Sequence, residues 1–260
     1  MKIKEIVSAL ERFAPLPLQD GFDNAGLQIG LTDAEATGAL LCLDVTEAVL
    51  DEAIALGYNL VIAHHPLIFK GYKSITGRDY VERCILKAIK NDLVIYAAHT
   101  NLDNAPEGVN FKIAEKIGLK NVRILQPRED EEQAGAGVIG ELETPETELE
   151  FLKRIKKTFE VGCLKHNRLT GREIQTVALC GGAGAFLMPL AISNRADVFI
   201  TGEIKYHDYF GHDAEILLAE IGHYESEQYT KEIFYTIIRD LFPNFEVQMT
   251  KVNTNPIKYM

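Results

Sequence analysis

Short apolar runs that alternate with segments of helical periodicity are the feature that most restricts the fold of this 260-residue chain. The runs are continuously apolar, a pattern typical of strands covered on both faces. Strands that alternate with helices predict an α/β fold with mainly parallel sheets. The predicted strands are 39–45, 59–63, 93–98, 122–125, 176–180, 198–201, 216–219 and 245–249, and the clearest predicted helices are 46–56, 79–91, 106–117, 145–159 and 226–241.

The strand and helix pattern occurs twice along the chain, which predicts an internal duplication. Aligning Cys42 with Cys180 superimposes the strands on either side of these two residues. With a shorter connection in the second copy, His99 then aligns with His223. The two copies would form two similar α/β lobes.

Chain length is consistent with this duplication. At roughly 150 residues per domain, the chain is long enough for two modest domains, each with its own core. The expected boundaries are 1–126 and 127–260, with an acidic, glycine-containing connector at 129–137. The last helix and strand are candidates to pack back on the first lobe.

The charge balance argues against one class of partner. The chain has 27 Lys and Arg against 38 Asp and Glu, a formal net charge of −11. Proteins that bind duplex nucleic acid gain most of their affinity by neutralising phosphates with basic residues. A nucleic-acid partner is therefore not expected.

Neither export nor membrane insertion is predicted. The amino terminus carries Lys2, Lys4 and Glu5 where a signal peptide needs an apolar region. The uncharged stretch 174–194 is interrupted by glycines and a proline, which argues against a membrane span. The four cysteines show no paired spacing, so reduced, buried thiols are expected. We expect a cytoplasmic protein.

Polar side chains that can bind metals follow four of the predicted strands. The carboxyl ends of parallel strands are where open α/β sheets bind ligands. A packing role does not explain why His, Asp and Glu gather there. The segments that follow these strands contain His64 and His65; His99 and Asp103; Glu203, Lys205 and His207; and His223 and Glu227.

Imidazole together with carboxylate is the ligand set of zinc, iron, manganese and related divalent ions. Adjacent His64 and His65 point to opposite sides of an extended chain, which suits either one ligand for each of two ions or one ligand and one supporting partner. His223 and Glu227 share one helix face if the segment is helical. With Asp103 there are five candidates, more than one open catalytic ion needs. Two ions about 3.5 Å apart, bridged by a carboxylate, would use them all.

Five motifs taken together resemble a known family. This is the dinuclear-metal-centre family named after the yeast Ngg-interacting factor, whose members are widely called GTP cyclohydrolase 1 type 2 homologues. The resemblance covers nearly the whole chain. Its motifs are DNAGLQIG at 23–30, AHHPLIF at 63–69, HTNLD at 99–103, TGEIKYHD at 201–208 and GHYESE at 222–227.

The resemblance implies a specific ligand assignment. His65 and Asp103 would hold one ion, His64 and His223 the other, and Glu227 would bridge the two. It also implies two α/β lobes with the metal site between them and a ring-shaped homohexamer with its metal sites facing an inner cavity. Longer members of the family have an extra domain where this chain has only the short connector.

The family name implies a metal-dependent hydrolase of the GTP cyclohydrolase type, in which metal-activated water attacks the purine ring of a nucleotide. No purine-recognition motif is visible in the sequence, and a phosphoester hydrolase would use the same two ions. The alternative is a non-catalytic, metal-binding oligomeric scaffold that interacts with protein or nucleic acid. Zinc, iron and manganese all suit the ligands.

Several residues keep two interpretations. His99 and Glu203 either support a ligand or transfer protons during catalysis. Lys205 either meets substrate or is a solvated residue. The glycine-rich turn 181–184 either cradles a phosphate or is a tight turn, and the turn is favoured because the known phosphate-binding glycine patterns are missing. The basic residues of 70–78 either steer an anionic substrate or are ordinary surface charge.

Overall fold

A computed structural model describes residues 1–129 and 131–260. The chain divides into two compact units. Unit 1 consists of Met1–Leu102 and Thr230–Pro256, and unit 2 consists of Asp103–Tyr229 and Ile257–Met260. The domain boundaries expected from the sequence stay a prediction.

Helices and strands alternate along most of the chain. The helices are α1 Ile3–Phe13, α2 Glu47–Leu56, α3 Tyr80–Lys90, α4 Thr100–Asn104, α5 Val109–Ile117, α6 Glu148–Thr158, α7 Met188–Ser193, α8 His223–Glu227 and α9 Thr230–Leu241. The strands are β1 Gly26–Ile29, β2 Ala39–Cys42, β3 Leu60–Ala63, β4 Val94–Ala97, β5 Lys120–Pro127, β6 Gly135–Thr147, β7 Lys165–His166, β8 Glu173–Cys180, β9 Val198–Thr201, β10 Leu217–Glu220 and β11 Val247–Met249.

Unit 1 is built on a sheet of order β1-β4-β3-β2-β11. β11, β2, β3 and β4 are parallel, and only β1 runs antiparallel, at the edge beside β4. Every residue of β2, β3 and β4 is buried, as their continuous apolar sequences predict. Thr46 caps the start of helix α2, where its side chain accepts a hydrogen bond from the Val49 amide. Gly57 caps the end with φ +71°, a conformation that glycine adopts without strain.

Unit 2 is built on a sheet of order β5-β6-β8-β9-β10-β7. The central strands β8, β9 and β10 are parallel, whereas β5, β6 and β7 join by antiparallel pairing. The expected α/β class with largely parallel sheets is confirmed.

Strand register follows the predicted repeat. In unit 1 Ala39 pairs with Leu60, and in unit 2 Val177 pairs with Val198, the same relative positions in the two copies. The final strands of the two copies differ. β11 pairs in parallel with β2, whereas β5 pairs antiparallel with β6.

One long strand lies where the sequence predicts a connector. β6 begins at Gly135 and includes part of the segment 129–137, of which residue 130 lies outside the described residues. Two glycines made this segment resemble a loop, since glycine is depleted in strands. At Gly137, with φ +61°, a Cβ would come within 2.6 Å of Leu187 and 2.8 Å of the Leu179 carbonyl oxygen. The glycine therefore permits close packing inside the sheet.

Among the residues that the structure describes, no helix is long and apolar enough to cross a membrane.

Candidate metal centre

Three histidines of unit 1 follow the ends of two neighbouring parallel strands. His64 and His65 follow β3, and His99 follows β4. Their ring centroids lie 4.9 Å (His64–His65), 5.3 Å (His64–His99) and 5.4 Å (His65–His99) apart. One nitrogen of each ring lies within 4.8 Å of the others, so the three together can hold a metal ion.

His64 is fully buried, and its ring orientation is set by the backbone. Its Nδ1 lies 2.8 Å from the carbonyl oxygen of Ala98. A carbonyl oxygen only accepts hydrogen bonds, so Nδ1 carries the proton and Nε2 keeps its lone pair. Metal-binding histidines show this arrangement, in which the second nitrogen donates to a fixed acceptor.

His65 is oriented by a carboxylate. Its Nδ1 lies 2.7 Å from Oδ1 of Asp44, and the Thr254 hydroxyl donates to Oδ2 of the same carboxylate over 2.6 Å. Burial raises the pKa of Asp44, but the hydrogen bonds from His65 and Thr254 outweigh it and hold this pKa below its usual range. An ionised Asp44 favours the His65 tautomer with Nδ1 protonated and Nε2 available to a metal.

His99 is oriented in the same way by Asp23. Its Nδ1 lies 2.7 Å from Oδ1 of Asp23, and Oδ2 accepts from the Thr100 amide at 3.0 Å and from the Thr100 hydroxyl at 2.5 Å. Burial raises the pKa of Asp23, but the hydrogen bonds from His99 and Thr100 lower it to about 2. The Phe69 ring lies edge-on to His99, with 6.2 Å between the ring centroids.

Helix α8 of unit 2 carries an imidazole and a carboxylate on one face. His223 Nε2 lies 3.0 Å from Oε2 of Glu227, one helical turn further along, and Glu227 is only 3% exposed. Two ligand atoms bound to one ion at about 2.1 Å each lie roughly 3 Å apart, so this spacing fits a shared divalent ion. On the other side of the ring, Nδ1 lies 2.9 Å from Oε1 of the exposed Glu203.

Three glycines let the backbone of unit 2 approach these ligands. A Cβ on Gly182, which has φ +59°, would lie 2.3 Å from Oε1 of Glu227. A Cβ on Gly202 would lie 2.6 Å from the Gly182 carbonyl oxygen and 2.9 Å from Cα of His223. A Cβ on Gly184 would collide with the Cys180 side chain. Close packing around His223 and Glu227 therefore requires Gly182 and Gly202, and close packing against Cys180 requires Gly184.

The amides of the same turn are already hydrogen-bonded within unit 2. Gly181 donates to the Asn110 side chain at 2.9 Å, Gly182 to the Ser226 hydroxyl at 3.0 Å and Gly184 to the Thr201 hydroxyl at 3.0 Å. These three N–H groups are not aimed at a ligand. The packing interpretation of the turn is thus favoured over a phosphate cradle.

Among the other candidates, Asp103 lies close to Glu227 in unit 2, with a carboxylate oxygen of each within 4.8 Å of the other. Asp103 lies in the short helix α4, where its carbonyl oxygen accepts from the Asn110 side chain at 3.1 Å. Lys205 lies with Glu203 and His207 in the wall of a unit 2 cavity of about 880 Å³. Arg78 donates to the buried carboxylate of Glu82 at 3.1 Å, so part of the basic segment 70–78 has a structural role.

Sequence reasoning missed the carboxylates that orient His65 and His99. Asp44 lies within the predicted strand 39–45 and is separated from His65 by 21 residues in the sequence, and Asp23 is separated from His99 by 76. Asp23 is the first residue of the motif DNAGLQIG at 23–30, and this was the only indication that it belongs to the site. Nothing in the sequence alone connects either acid with a particular histidine.

Comparisons with known proteins agree on one family. The family model described as Duf34/NIF3 (NGG1p interacting factor 3) matches residues 1–256. A Clostridium perfringens protein named GTP cyclohydrolase 1 type 2 homolog is 36% identical over 87% of each chain, and a Lactococcus lactis protein of the same name is 35% identical over 98% of each. The crystal structure of a Staphylococcus aureus hypothetical protein aligns with a TM-score of 0.93 and 31% identity, over 100% of this chain and 99% of that one.

Proposed function

Because the chain belongs to the Duf34/NIF3 family, we propose that it is a divalent-metal-dependent hydrolase that binds two metal ions. The observation that carries this proposal is the common orientation of its histidines. His64, His65 and His223 each direct Nδ1 at an oxygen acceptor, the arrangement that histidines bound to metal through Nε2 show. Three imidazoles oriented in this way, together with carboxylates, fit zinc, iron or manganese.

The proposed ligands are those that the family resemblance implies. In this proposal His65 and Asp103 would hold one ion, His64 and His223 would hold the other, and Glu227 would be shared between them. The buried position of Glu227 supports a bridging role, because a buried carboxylate is stabilised when it coordinates metal.

When bound, such ions would supply a water of lowered pKa and would polarise the bond to be attacked. The remaining side chains of the site have separate tasks in this proposal. His99 takes up and returns a proton at Nε2, while ionised Asp23 stabilises the protonated ring through Nδ1. Glu203 holds the His223 ring and, being exposed, is able to exchange protons with solvent.

The proposed substrate is a small molecule of the nucleotide class. The relatives in Clostridium perfringens and Lactococcus lactis are named GTP cyclohydrolase 1 type 2 homologs. The unit 2 cavity that includes Glu203 is large enough at about 880 Å³, since ligand pockets commonly measure about 300–1,000 Å³. Lys205 in its wall supplies a positive charge for an anionic group.

We also propose an oligomeric state and a cellular location for the protein. A homohexamer is proposed from the family resemblance alone. A cytoplasmic location agrees with its four free cysteines, three of them buried, because disulfides are rare in that compartment.

The test is turnover of GTP and of simple phosphoesters by the metal-loaded full chain, beside the Asp103→Ala and His99→Gln variants. We expect wild-type turnover that Asp103→Ala abolishes without dissociating the oligomer, and that His99→Gln reduces by about 100-fold or more. Two bound ions without turnover of any substrate would contradict the hydrolase and favour the metal-binding scaffold. If Asp103→Ala loses the oligomer but keeps its turnover, the metal has a structural role and not a catalytic one.

A further inference from the structure

The segment 250–256 of unit 1 is attached to β2 and α2 by hydrogen bonds to buried and half-buried groups. The Thr250 amide donates to the carbonyl oxygen of Leu41 at 2.8 Å. The Thr250 hydroxyl donates to the Glu52 carboxylate, which also accepts from the Lys251 amide at 3.1 Å. These contacts join positions about 200 residues apart, since Lys251 and Glu52 are separated by 199.

Thr254 extends this attachment to a candidate metal ligand. Its hydroxyl donates to Oδ2 of Asp44 at 2.6 Å, across 210 residues of sequence. The other oxygen of Asp44 faces Nδ1 of His65 at 2.7 Å. With one partner on each oxygen, the plane of the carboxylate is fixed, and the plane and tilt of the imidazole are fixed with it.

His65 and His99, the two histidines of unit 1 that are oriented by a carboxylate, differ in which residue holds that carboxylate in place. Asp23, which orients His99, is held through Thr100, the residue directly after that histidine. Asp44, which orients His65, is held through a residue near the other end of the chain. His99 therefore keeps its support from a neighbouring residue, whereas the support of His65 comes from the hydroxyl of Thr254.

We infer that Thr254 is a positioning residue for the metal site: through Asp44 its hydroxyl holds His65 in the orientation that binds metal, so that tight binding of one ion requires this hydroxyl. This inference rests on the proposed function, because it takes His65 to be a ligand. Thr254 itself touches neither metal nor substrate in this role.

The experiment measures the affinity of each of the two ions by chelator competition on the metal-loaded full chain. Thr254→Val removes the hydroxyl and keeps the shape, Thr254→Ser restores the donor, and Thr250→Val removes a hydroxyl of the same segment that does not contact Asp44. Loss of a group that orients a metal ligand commonly weakens binding by about 10- to 100-fold. We expect that loss for one ion in Thr254→Val, and affinities within about twofold of wild type in the other two variants.

Cobalt substitution supplies a second measurement, because its absorption spectrum reports the geometry of the ligands. We expect Thr254→Val to change the cobalt spectrum and Thr250→Val to leave it as in wild type. If Thr254→Val does not fold, Asp44→Asn replaces it and is expected to weaken the same ion.

The outcomes separate the inference from the proposed function. Wild-type protein that binds two ions, with Thr254→Val binding both equally well, overturns the inference alone. An equal loss in Thr250→Val also overturns it, because the effect would then come from general loosening of the segment. Wild-type protein that binds no ion after reconstitution overturns the proposed function and this inference together.

Discussion

The central strands of the two units share a topology, but the groups at their carboxyl ends differ. β2, β3 and β4 of unit 1 lie side by side in parallel, as do β8, β9 and β10 of unit 2. Unit 1 has His64 and His65 after its middle strand, where unit 2 has Gly202 and Glu203. At the end of the middle strand one repeat therefore has imidazoles, and the other has a close-packed glycine and a carboxylate.

The imidazoles of both units face an oxygen acceptor through Nδ1, but their candidate ligands are arranged differently. In unit 1 the imidazoles are oriented by hydrogen-bond acceptors from elsewhere in the chain, namely Asp23, Asp44 and the Ala98 carbonyl. In unit 2 the pair His223 and Glu227 lies on one helical turn, enclosed by a glycine-rich turn. A duplicated scaffold can thus diverge through the residues after its strands while the strands keep their register.

The largest expected effect is on Glu227, the carboxylate that the proposal assigns to both ions. Glu227→Gln keeps the size of the side chain and removes its charge, so we expect the affinity for both ions to fall by at least about 100-fold. Metal titration of apo protein measures this. Unchanged affinity for either ion would remove Glu227 from that ion's ligands.

The glycine-rich turn offers a sterically matched comparison within unit 2. Gly182→Ala places a methyl group 2.3 Å from Oε1 of Glu227, whereas Gly118→Ala, at a comparable positive φ, meets no atom within 4 Å. Both substitutions carry the backbone cost of an L-residue at positive φ, roughly 1 kcal/mol. We expect only Gly182→Ala to weaken metal binding, by about tenfold or more. Equal metal affinities in the two variants would show that the close approach of Gly182 to Glu227 is not needed for metal binding.

The support of His99 is tested by Asp23→Asn, which removes the ionised acceptor. We expect turnover to fall by about 10- to 100-fold, while both ions stay bound, because His99 is proposed to transfer protons and not to ligate. Parallel measurements of turnover and metal content decide this. If one ion is lost instead, His99 is a ligand.

The smallest expected effect is on folding stability and comes from Glu82, which lies outside the candidate site. The buried Glu82 carboxylate accepts hydrogen bonds from the Thr76 and Arg78 amides, which lower its pKa from 4.5 to about 2. A depressed folded-state pKa contributes stability that is complete above pH 4.5 and is lost as the pH falls toward 2. Glu82→Gln is therefore expected to lower the urea midpoint at pH 7 and to approach wild type near pH 2. Metal affinity should not change.

A constant difference between the Glu82→Gln and wild-type midpoints from pH 7 to pH 2 would contradict this origin of the stability. Loss of metal in the same variant would show that the loop 74–78 supports the site as well.

Much of the fold could be predicted because the central strands are buried on both faces and are apolar without interruption. The predicted 198–201 coincides with β9, and 39–45 contains β2. β6 was missed because its glycines are needed for contacts with other elements, such as that of Gly137 with Leu187. Such a requirement is not visible in local sequence.

The candidate site, like the fold, could be predicted only in part. Strand-end positions and residue chemistry identified the histidines, since both are local properties. The partners of the histidines could not be predicted, because Asp44 and Thr254 meet across 210 residues and only the folded chain brings them together. Glu203 was left with two roles, and its 2.9 Å contact with His223 supports orientation of the ring.

The most direct test of the central claim is the metal content of the purified full chain after reconstitution, measured by elemental analysis beside the His64→Ala and Glu227→Gln variants. Two ions per chain in the wild type are predicted, with one lost in His64→Ala and both lost in Glu227→Gln. A wild-type chain without metal, or variants that keep the full wild-type content, would contradict the proposed dinuclear centre.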